Sequence, residues 1–187
     1  KGLTYSLVMG SEKERRAALS RRAMIYIINR ENVSWLVEHT HWRFDALVID
    51  ELSSFKSAKA QRFKALKKVR PLCGRVIGLT GTPAPNTLID LWPQMYLLDM
   101  GQRLGRFLTH YRERFFVPDK RNREIVYSYK LREGAEQKIY ELIGDICISM
   151  KATDHLKMPE LTMNRVEVHL SAQEQKLYDT LKREMIL

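Results

Sequence analysis

Three short, uninterrupted apolar runs restrict most strongly how this chain can fold. They occupy residues 24–28, 46–49 and 76–79. Four or five consecutive apolar residues without alternation are typical of a strand covered on both faces, as in a parallel sheet. Because stretches with helical spacing separate these runs, the sequence predicts a β-α-β-α-β order with right-handed crossovers.

Helix-start signals and apolar periodicity place the remaining elements. Ser11 with Glu14, and Ser171 with Glu174, have the spacing of a capping box, in which each side chain bonds the other residue's backbone N–H. Helices are therefore expected to follow both serines and to run to about residues 22 and 185. Further helices are predicted at residues 31–39, 57–69, 88–98, 104–115 and 135–146, and further strands at residues 3–9, 125–131 and 165–170.

Positive charge is concentrated in two stretches of the chain. The 187 residues contain 32 Lys and Arg against 22 Asp and Glu, a net charge of +10. Residues 56–75 contain no acidic side chain, and residues 103–132 form a second basic stretch. Phosphate contacts with Lys and Arg supply most non-specific affinity for nucleic acid, which is therefore the expected partner. No apolar run approaches the roughly 18 residues of a membrane span, so a membrane partner is not expected.

Two acidic residues, Asp50 and Glu51, directly follow the apolar run 46–49. In open parallel sheets, ligands bind beyond the carboxyl ends of the strands. Phosphoryl transfer to water needs a divalent metal ion that neutralises the phosphates and a group that orients the attacking water. Asp50 is suited to hold Mg²⁺, directly or through water, and Glu51 is suited to accept a proton from the water. A strand that simply ends in a solvated loop is the alternative interpretation of this pair.

A threonine-rich turn, Thr80-Gly81-Thr82-Pro83, follows the run 76–79. Two hydroxyl groups around a glycine can sense the state of a neighbouring metal site and pass it to a bound nucleic-acid strand. An ordinary strand-to-helix turn is the alternative interpretation. If the preceding run and the run before the carboxylates form neighbouring strands, the hydroxyl and carboxylate groups face one crevice.

Together these two groups resemble conserved motifs of superfamily-two helicases. Asp50-Glu51 resembles the DExx box, and residues 79–86 closely resemble the Swi/Snf version of the third motif, leucine-threonine-glycine-threonine-proline-x-x-asparagine. The resemblance extends from about residue 5 to 185 and is nearest to helicase-like proteins of phages and prophages. Other similar segments are residues 27–32 (a strand and turn that touch DNA), 88–92 (a leucine-rich helix) and 158–178 (a proline segment, strand and helix).

This resemblance implies the first RecA-like lobe of an ATP-driven motor on double-stranded DNA, with ATP and Mg²⁺ as cofactors. Residues 1–100 and 152–187 are expected to form a three-layer α/β lobe with a parallel sheet, and residues 101–151 a basic helical insertion. A second RecA-like lobe and an N-terminal segment of the same protein are the implied partners, in the cytoplasm of a bacterial or phage-infected cell. The implied residue roles are Mg²⁺ binding through water for Asp50, general base for Glu51, coupling of hydrolysis to movement for Thr80, Gly81, Thr82 and Pro83, and nucleic-acid contact for Asn29, Arg30, Lys56 and Asn86.

The sequence departs from the family pattern in three places. None of the nine glycines is followed by lysine, so the phosphate-binding loop Gly-x-x-x-x-Gly-Lys-Ser/Thr and its strand are expected upstream of Lys1. Ser53 stands where the family usually has histidine, and only Lys151 remains of an arginine-rich stretch. We therefore expect no ATPase activity from the 187 residues alone. The alternative functions are a non-catalytic nucleic-acid-binding module and the motor part of a restriction or repair nuclease.

Overall fold

The computed structural model divides into two compact units, Lys1–Cys147 and Ile148–Leu187. The structure describes residues 2–82, 84, 87–120, 122, 126–150 and 162–184. The predicted division into a lobe with an inserted helical segment stays a prediction. In chain order, the first unit contains β1 (Tyr5–Val8), α1 (Glu12–Ser20), β2 (Ile25–Ile28), α2 (Val33–His39), β3 (Ala46–Ile49), α3 (Gln61–Val69), β4 (Arg75–Gly78), α4 (Leu91–Asp99), α5 (Leu108–Phe115), β5 (Phe116–Pro118), β6 (Tyr129–Leu131) and α6 (Ala135–Ile143).

The first four strands form parallel pairs. β1 pairs with β2 in the register Tyr5↔Ile25, and β3 pairs with β4 in the register Ile49↔Gly78. A helix connects the two strands of each pair, so the predicted parallel β-α-β arrangement and the α/β fold class are confirmed. Within the described residues, the parallel sheet consists of these two separate pairs, without hydrogen bonds from β2 to β3.

Within the described residues, helices cover only one face of β3 and β4. Val48 on β3 is 60% exposed and Ile77 on β4 is 45% exposed, whereas Ile49, on the opposite face, is 5% exposed. Successive side chains of a strand point to opposite faces, so the exposed residues share the uncovered one. The expectation that these strands are covered on both faces is therefore wrong for the described residues, because α3 and α4 lie on a single side.

The core of the first unit lies between α3, α4 and the covered face of β3 and β4. Phe63 on α3 and Trp92 and Met95 on α4 are each at most 3% exposed. Gly78 allows β4 to approach this layer, since a Cβ at that position would collide with the side chain of Leu52. Burying a large apolar side chain stabilises a fold by roughly 1.5–3 kcal/mol, so this layer holds the two strands in place.

A buried arginine, Arg70, ties the end of α3 to the end of α4. Its guanidinium donates hydrogen bonds to the carbonyl oxygens of Leu97, Leu98 (2.6 Å) and Cys73 (2.9 Å). The last carbonyl groups of a helix lack partners within the helix, so Arg70 satisfies two that would otherwise be buried without a donor.

Four helices begin later than the sequence predicts, and in α2 and α4 a 3₁₀ turn occupies the first predicted residues. The helix predicted from residue 57 begins at Gln61, because Ala60 has an extended backbone. The helix predicted from residue 104 begins at Leu108, because Gly105 has a φ of +91°, which a helix cannot accommodate. The strand predicted at residues 125–131 is present as β6, which covers only Tyr129–Leu131 and pairs antiparallel with β5.

The second unit contains one helix, α7 (Ala172–Glu184), in its described residues 162–184. Its capping box is confirmed: the backbone N–H of Ser171 donates to Glu174 at 2.9 Å, and the N–H of Glu174 donates to Ser171 at 3.4 Å. Residues 165–170 do not form the predicted strand, since they have no strand partner among the described residues. No helix in the described part of the chain is long and apolar enough to cross a membrane.

Candidate functional site

Main-chain hydrogen bonds join the carboxyl ends of β3 and β4. The N–H of Leu79 donates to the carbonyl of Ile49 at 2.9 Å, and the N–H of Leu52 donates to the carbonyl of Leu79 at 2.8 Å. These bonds continue the parallel register past the last strand residues. They bring the segment that contains Asp50 and Glu51 beside the segment that begins with Thr80, as the sequence predicts.

A 3₁₀ turn (Leu52–Phe55) follows Glu51 and is anchored in the core. Leu52 is 5% exposed and Phe55 is 1% exposed. A 3₁₀ helix has three residues per turn, so these two apolar side chains share one face and leave Ser53 and Ser54 between them. Glu51 itself has a left-handed backbone with a φ of +53°, an uncommon conformation for a residue other than glycine. The chain therefore turns sharply at the carboxylate and is held immediately after it.

Two hydroxyl groups donate to one oxygen of the Glu51 carboxylate. The hydroxyl of Ser53 donates to Oε1, and the hydroxyl of Thr80 donates to the same Oε1 at 3.1 Å. The backbone N–H of Thr82 in turn donates to Thr80 Oγ1 at 3.2 Å. The carboxylate pair and the threonine turn are thus connected through side chains as well as through the main chain.

The surroundings of Glu51 favour its charged form. The hydrogen bond from Ser53, followed by that from Thr80 and then by the charge of Arg30, lowers the pKa of Glu51 from its ordinary value. Each of these groups stabilises a carboxylate more than a neutral carboxyl group. Arg30 follows β2, so part of the positive charge that acts on the Glu51 carboxylate comes from the carboxyl end of the other strand pair.

Asp50 is exposed and has an oxygen available for a ligand. Its Oδ1 accepts the N–H of Glu51 at 3.0 Å, and no bond to Oδ2 is found among the described residues. Mg²⁺ prefers carboxylate oxygens and retains several waters, so this side chain fits a hydrated Mg²⁺. The described residues contain no group of three or more His, Cys, Asp or Glu side chains that could hold a metal ion by themselves.

The structure describes some of the remaining predicted site residues. Asn29 is exposed at the end of β2, where its carbonyl accepts the N–H of Asn32 at 3.0 Å. Lys56 is exposed directly after the 3₁₀ turn. A Cβ at Gly81 would meet nothing within 4 Å and its φ is not positive, so this turn does not require a glycine for steric reasons. The predicted residues Pro83 and Asn86 lie outside the described residues.

Sequence reasoning missed the contact that Ser53 makes. The family usually has histidine at this position, so the serine puts the family's coupling contact in doubt. The structure places the serine hydroxyl on Glu51. No local signal predicted this contact, because apolar residues three apart, such as Leu52 and Phe55, are equally typical of an α-helix.

The chain matches a known family along nearly its full length. A family model described as the SNF2-related domain matches residues 4–187. Protein p41 of Acyrthosiphon pisum secondary endosymbiont phage 1 is 32% identical over 188 residues, which cover 96% of this chain and 41% of p41. YwqA of Bacillus subtilis, named as an ATP-dependent helicase/translocase, is 26% identical over 144 residues, which cover 75% of this chain and 14% of YwqA. The chain therefore spans less than half the length of these relatives.

A solved structure shows a weaker likeness. The Sulfolobus solfataricus SWI2/SNF2 ATPase core in complex with dsDNA is 23% identical, with a TM-score of 0.47 over 61% of this chain and 23% of that one. The family assignment does not depend on this likeness, because the family model alone spans residues 4–187. With its joined carboxylate and threonine motifs, the chain belongs to the SNF2-related family.

Proposed function

We propose that this chain occurs within a longer protein and supplies part of an ATP-driven motor that acts on double-stranded DNA. The observation that carries the proposal is the hydrogen bond of 3.1 Å from Thr80 Oγ1 to Glu51 Oε1. It joins the residue suited to activate water to the turn suited to respond to hydrolysis. The family assignment supports the same reading, because two relatives of the chain are named as ATP-dependent helicases.

Glu51 acts as the general base in this proposal. It orients a water molecule and accepts one of its protons while the water oxygen bonds to the terminal phosphorus of ATP and the bond to the ADP oxygen breaks. Ser53, Thr80 and Arg30 lower the pKa of its carboxyl, so the side chain is charged and can accept a hydrogen bond from the water that it orients.

Asp50 would hold Mg²⁺ through water in this proposal, and the ion would supply positive charge that offsets the charge of the phosphates. The groups that cradle the phosphates are supplied by sequence outside these 187 residues, which contain no Gly-Lys-Ser/Thr loop. An arginine from a second RecA-like lobe completes the site. The isolated chain is therefore expected to have no Mg²⁺-dependent ATPase activity, and appreciable turnover by it would contradict the proposal.

Thr80 and Thr82 connect hydrolysis to the grip on DNA in this proposal. They are linked to each other and to Glu51, so a change at the carboxylate reaches the turn directly. Asn29 and Arg30, which follow β2, hold the DNA backbone in this proposal. The influence of the Arg30 charge on the pKa of Glu51 supports a location on the same side as the carboxylate. Lys56 adds a further exposed cation after the 3₁₀ turn.

The test is the DNA-stimulated ATPase activity of the full-length protein, measured on duplex DNA with Mg²⁺. Glu51→Gln keeps the shape of the side chain and removes the base, so kcat is expected to fall about 100-fold or more. Binding of duplex DNA is expected to be retained in this variant. If wild type lacks DNA-stimulated turnover but binds DNA, the chain is a non-catalytic nucleic-acid-binding module instead.

A further inference from the structure

We propose that Ser53 is a positioning residue for Glu51, acting together with Thr80 to hold one carboxylate oxygen so that the other faces the attacking water. The inference rests on the proposed function and assigns a task to the residue that differs from the family pattern. Ser53 does not touch the nucleotide in this proposal. It acts through the carboxylate that its hydroxyl binds.

Glu51 needs such support because it lies outside the hydrophobic core formed by the described residues. The residue is exposed, and a glutamate side chain that is free in solvent populates several rotamers. Both hydroxyl donors bind Oε1, and no bond to Oε2 is found among the described residues. The arrangement therefore restricts the side chain and leaves a defined oxygen available for water.

Both donors are themselves held in place. Ser53 lies in the 3₁₀ turn whose neighbours Leu52 and Phe55 are 5% and 1% exposed, so the core fixes the backbone that carries its hydroxyl. The hydroxyl oxygen of Thr80 accepts the N–H of Thr82 at 3.2 Å, which directs its proton toward Glu51. A hydroxyl that is oriented in advance costs little further ordering in the transition state.

A histidine at this position cannot be assumed to make the same contact. A serine hydroxyl extends one atom beyond Cβ, and here that reach ends on the carboxylate two residues earlier in the chain. An imidazole extends well past that point and is directed to more distant groups. The serine contact thus stays within the DExx box, on the carboxylate oxygen that Thr80 also binds.

The experiment compares two isosteric variants of the full-length protein. Ser53→Thr keeps the hydroxyl, whereas Ser53→Val has the shape of the threonine variant without its hydroxyl. We expect Ser53→Val to lower kcat of the DNA-stimulated ATPase about tenfold, with KM for ATP and affinity for a fluorescent ATP analogue unchanged within about twofold. Ser53→Thr is expected to stay within about twofold of wild type. Thermal unfolding of both variants checks that the fold is intact.

Ser54 supplies a matched control. Its hydroxyl is buried in the same turn and has no hydrogen-bond partner among the described residues. Ser54→Ala is therefore expected to leave kcat and KM unchanged.

A double variant tests whether the two hydroxyls act as one unit. Ser53→Val and Thr80→Val remove the two donors to the same oxygen, so their combined effect on kcat should be smaller than the product of the separate effects.

The possible outcomes separate this inference from the proposed function. Equal kcat values for Ser53→Val and Ser53→Thr, with Glu51→Gln inactive, overturn the role of Ser53 and leave the motor proposal standing. A higher KM with unchanged kcat also overturns it, since it indicates a contact with ATP. Absence of turnover in wild type, or full activity of Glu51→Gln, overturns the proposed function and removes the reaction on which the inference depends.

Discussion

The rim at the ends of β3 and β4 differs from the core between α3 and α4 in what holds each together. At the rim, the exposed Glu51 is held by hydroxyl groups of Ser53 and Thr80. In the core, Phe63 and Trp92 are at most 3% exposed and pack ring against ring at 6.2 Å between centroids. Stability is therefore expected to depend on the core, and chemistry on the rim.

This difference has a physical basis. Removing a buried aromatic ring leaves a cavity that the surrounding structure fills only in part, whereas removing an exposed hydroxyl leaves groups that water can satisfy. Variants at the rim should consequently change turnover without changing the free energy of unfolding. Variants in the core should change that free energy first.

Trp92→Ala is expected to destabilise the protein by about 3–5 kcal/mol. The indole is 3% exposed, contacts Tyr96 at 5.2 Å between ring centroids, and donates a hydrogen bond to the carbonyl of Gly105 at 2.9 Å. Urea unfolding followed by circular dichroism measures the loss. Trp92→Phe keeps a ring in the core and is expected to lose clearly less. A loss below about 1 kcal/mol for Trp92→Ala would show that the core does not dominate stability.

Arg70→Met is expected to destabilise the protein by about 2–3 kcal/mol. The substitution leaves the buried carbonyls of Leu97 and Cys73, and the half-buried carbonyl of Leu98, without their donor. Arg75→Met is the control, since Arg75 is exposed on β4 and its replacement should change stability by less than about 0.5 kcal/mol. Equal effects of the two substitutions in the same unfolding experiment would contradict the assigned anchoring role.

Thr80→Val is expected to reduce kcat of the full-length ATPase about tenfold, with no change in unfolding. The variant keeps the volume of the side chain and loses the hydroxyl that donates to Glu51 and accepts from Thr82. Thr80→Ser keeps that hydroxyl and should remain near the wild-type rate. Loss of stability in Thr80→Val without loss of turnover would break the separation between rim and core.

Arg30→Gln is expected to weaken binding of duplex DNA about two- to fivefold at about 0.1 M salt and to reduce the salt-dependence slope by about one. Arg30 is half-buried and follows the carboxyl end of β2, whereas Arg22 is exposed and precedes the amino end of that strand. Arg22→Gln is therefore the matched control. Fluorescence anisotropy over a salt series measures both variants, and equal effects would indicate that only net charge matters.

Local sequence patterns predicted the individual elements well. The capping box of Ser11 and Glu14 marks the start of α1, and apolar runs mark β2, β3 and β4. These signals depend on neighbours within a few residues, so a single sequence carries them. Starts of helices without a side-chain cap, as in α3, were predicted less accurately, because nothing local at residue 57 distinguishes a turn from a helix.

The residues of the candidate site could be predicted from the sequence, but the hydrogen bonds between their side chains could not. The position of Asp50 and Glu51 after one strand, and of Thr80 after the next, follows from the order of runs and motifs along the chain. The contact of Ser53 with Glu51 was not predictable, because it requires the left-handed backbone at Glu51 and the anchoring of Leu52.

Local sequence patterns indicate which segments become strands and helices, which strand ends are followed by carboxylate and hydroxyl groups, and where positive charge is in excess. The tertiary structure alone decided which face of the strands is covered and which atoms meet at the rim. The reason is that periodicity and capping act between near neighbours in the chain. The strand face that is covered and the side chains that form hydrogen bonds depend on how helices that are distant in the sequence pack against the strands.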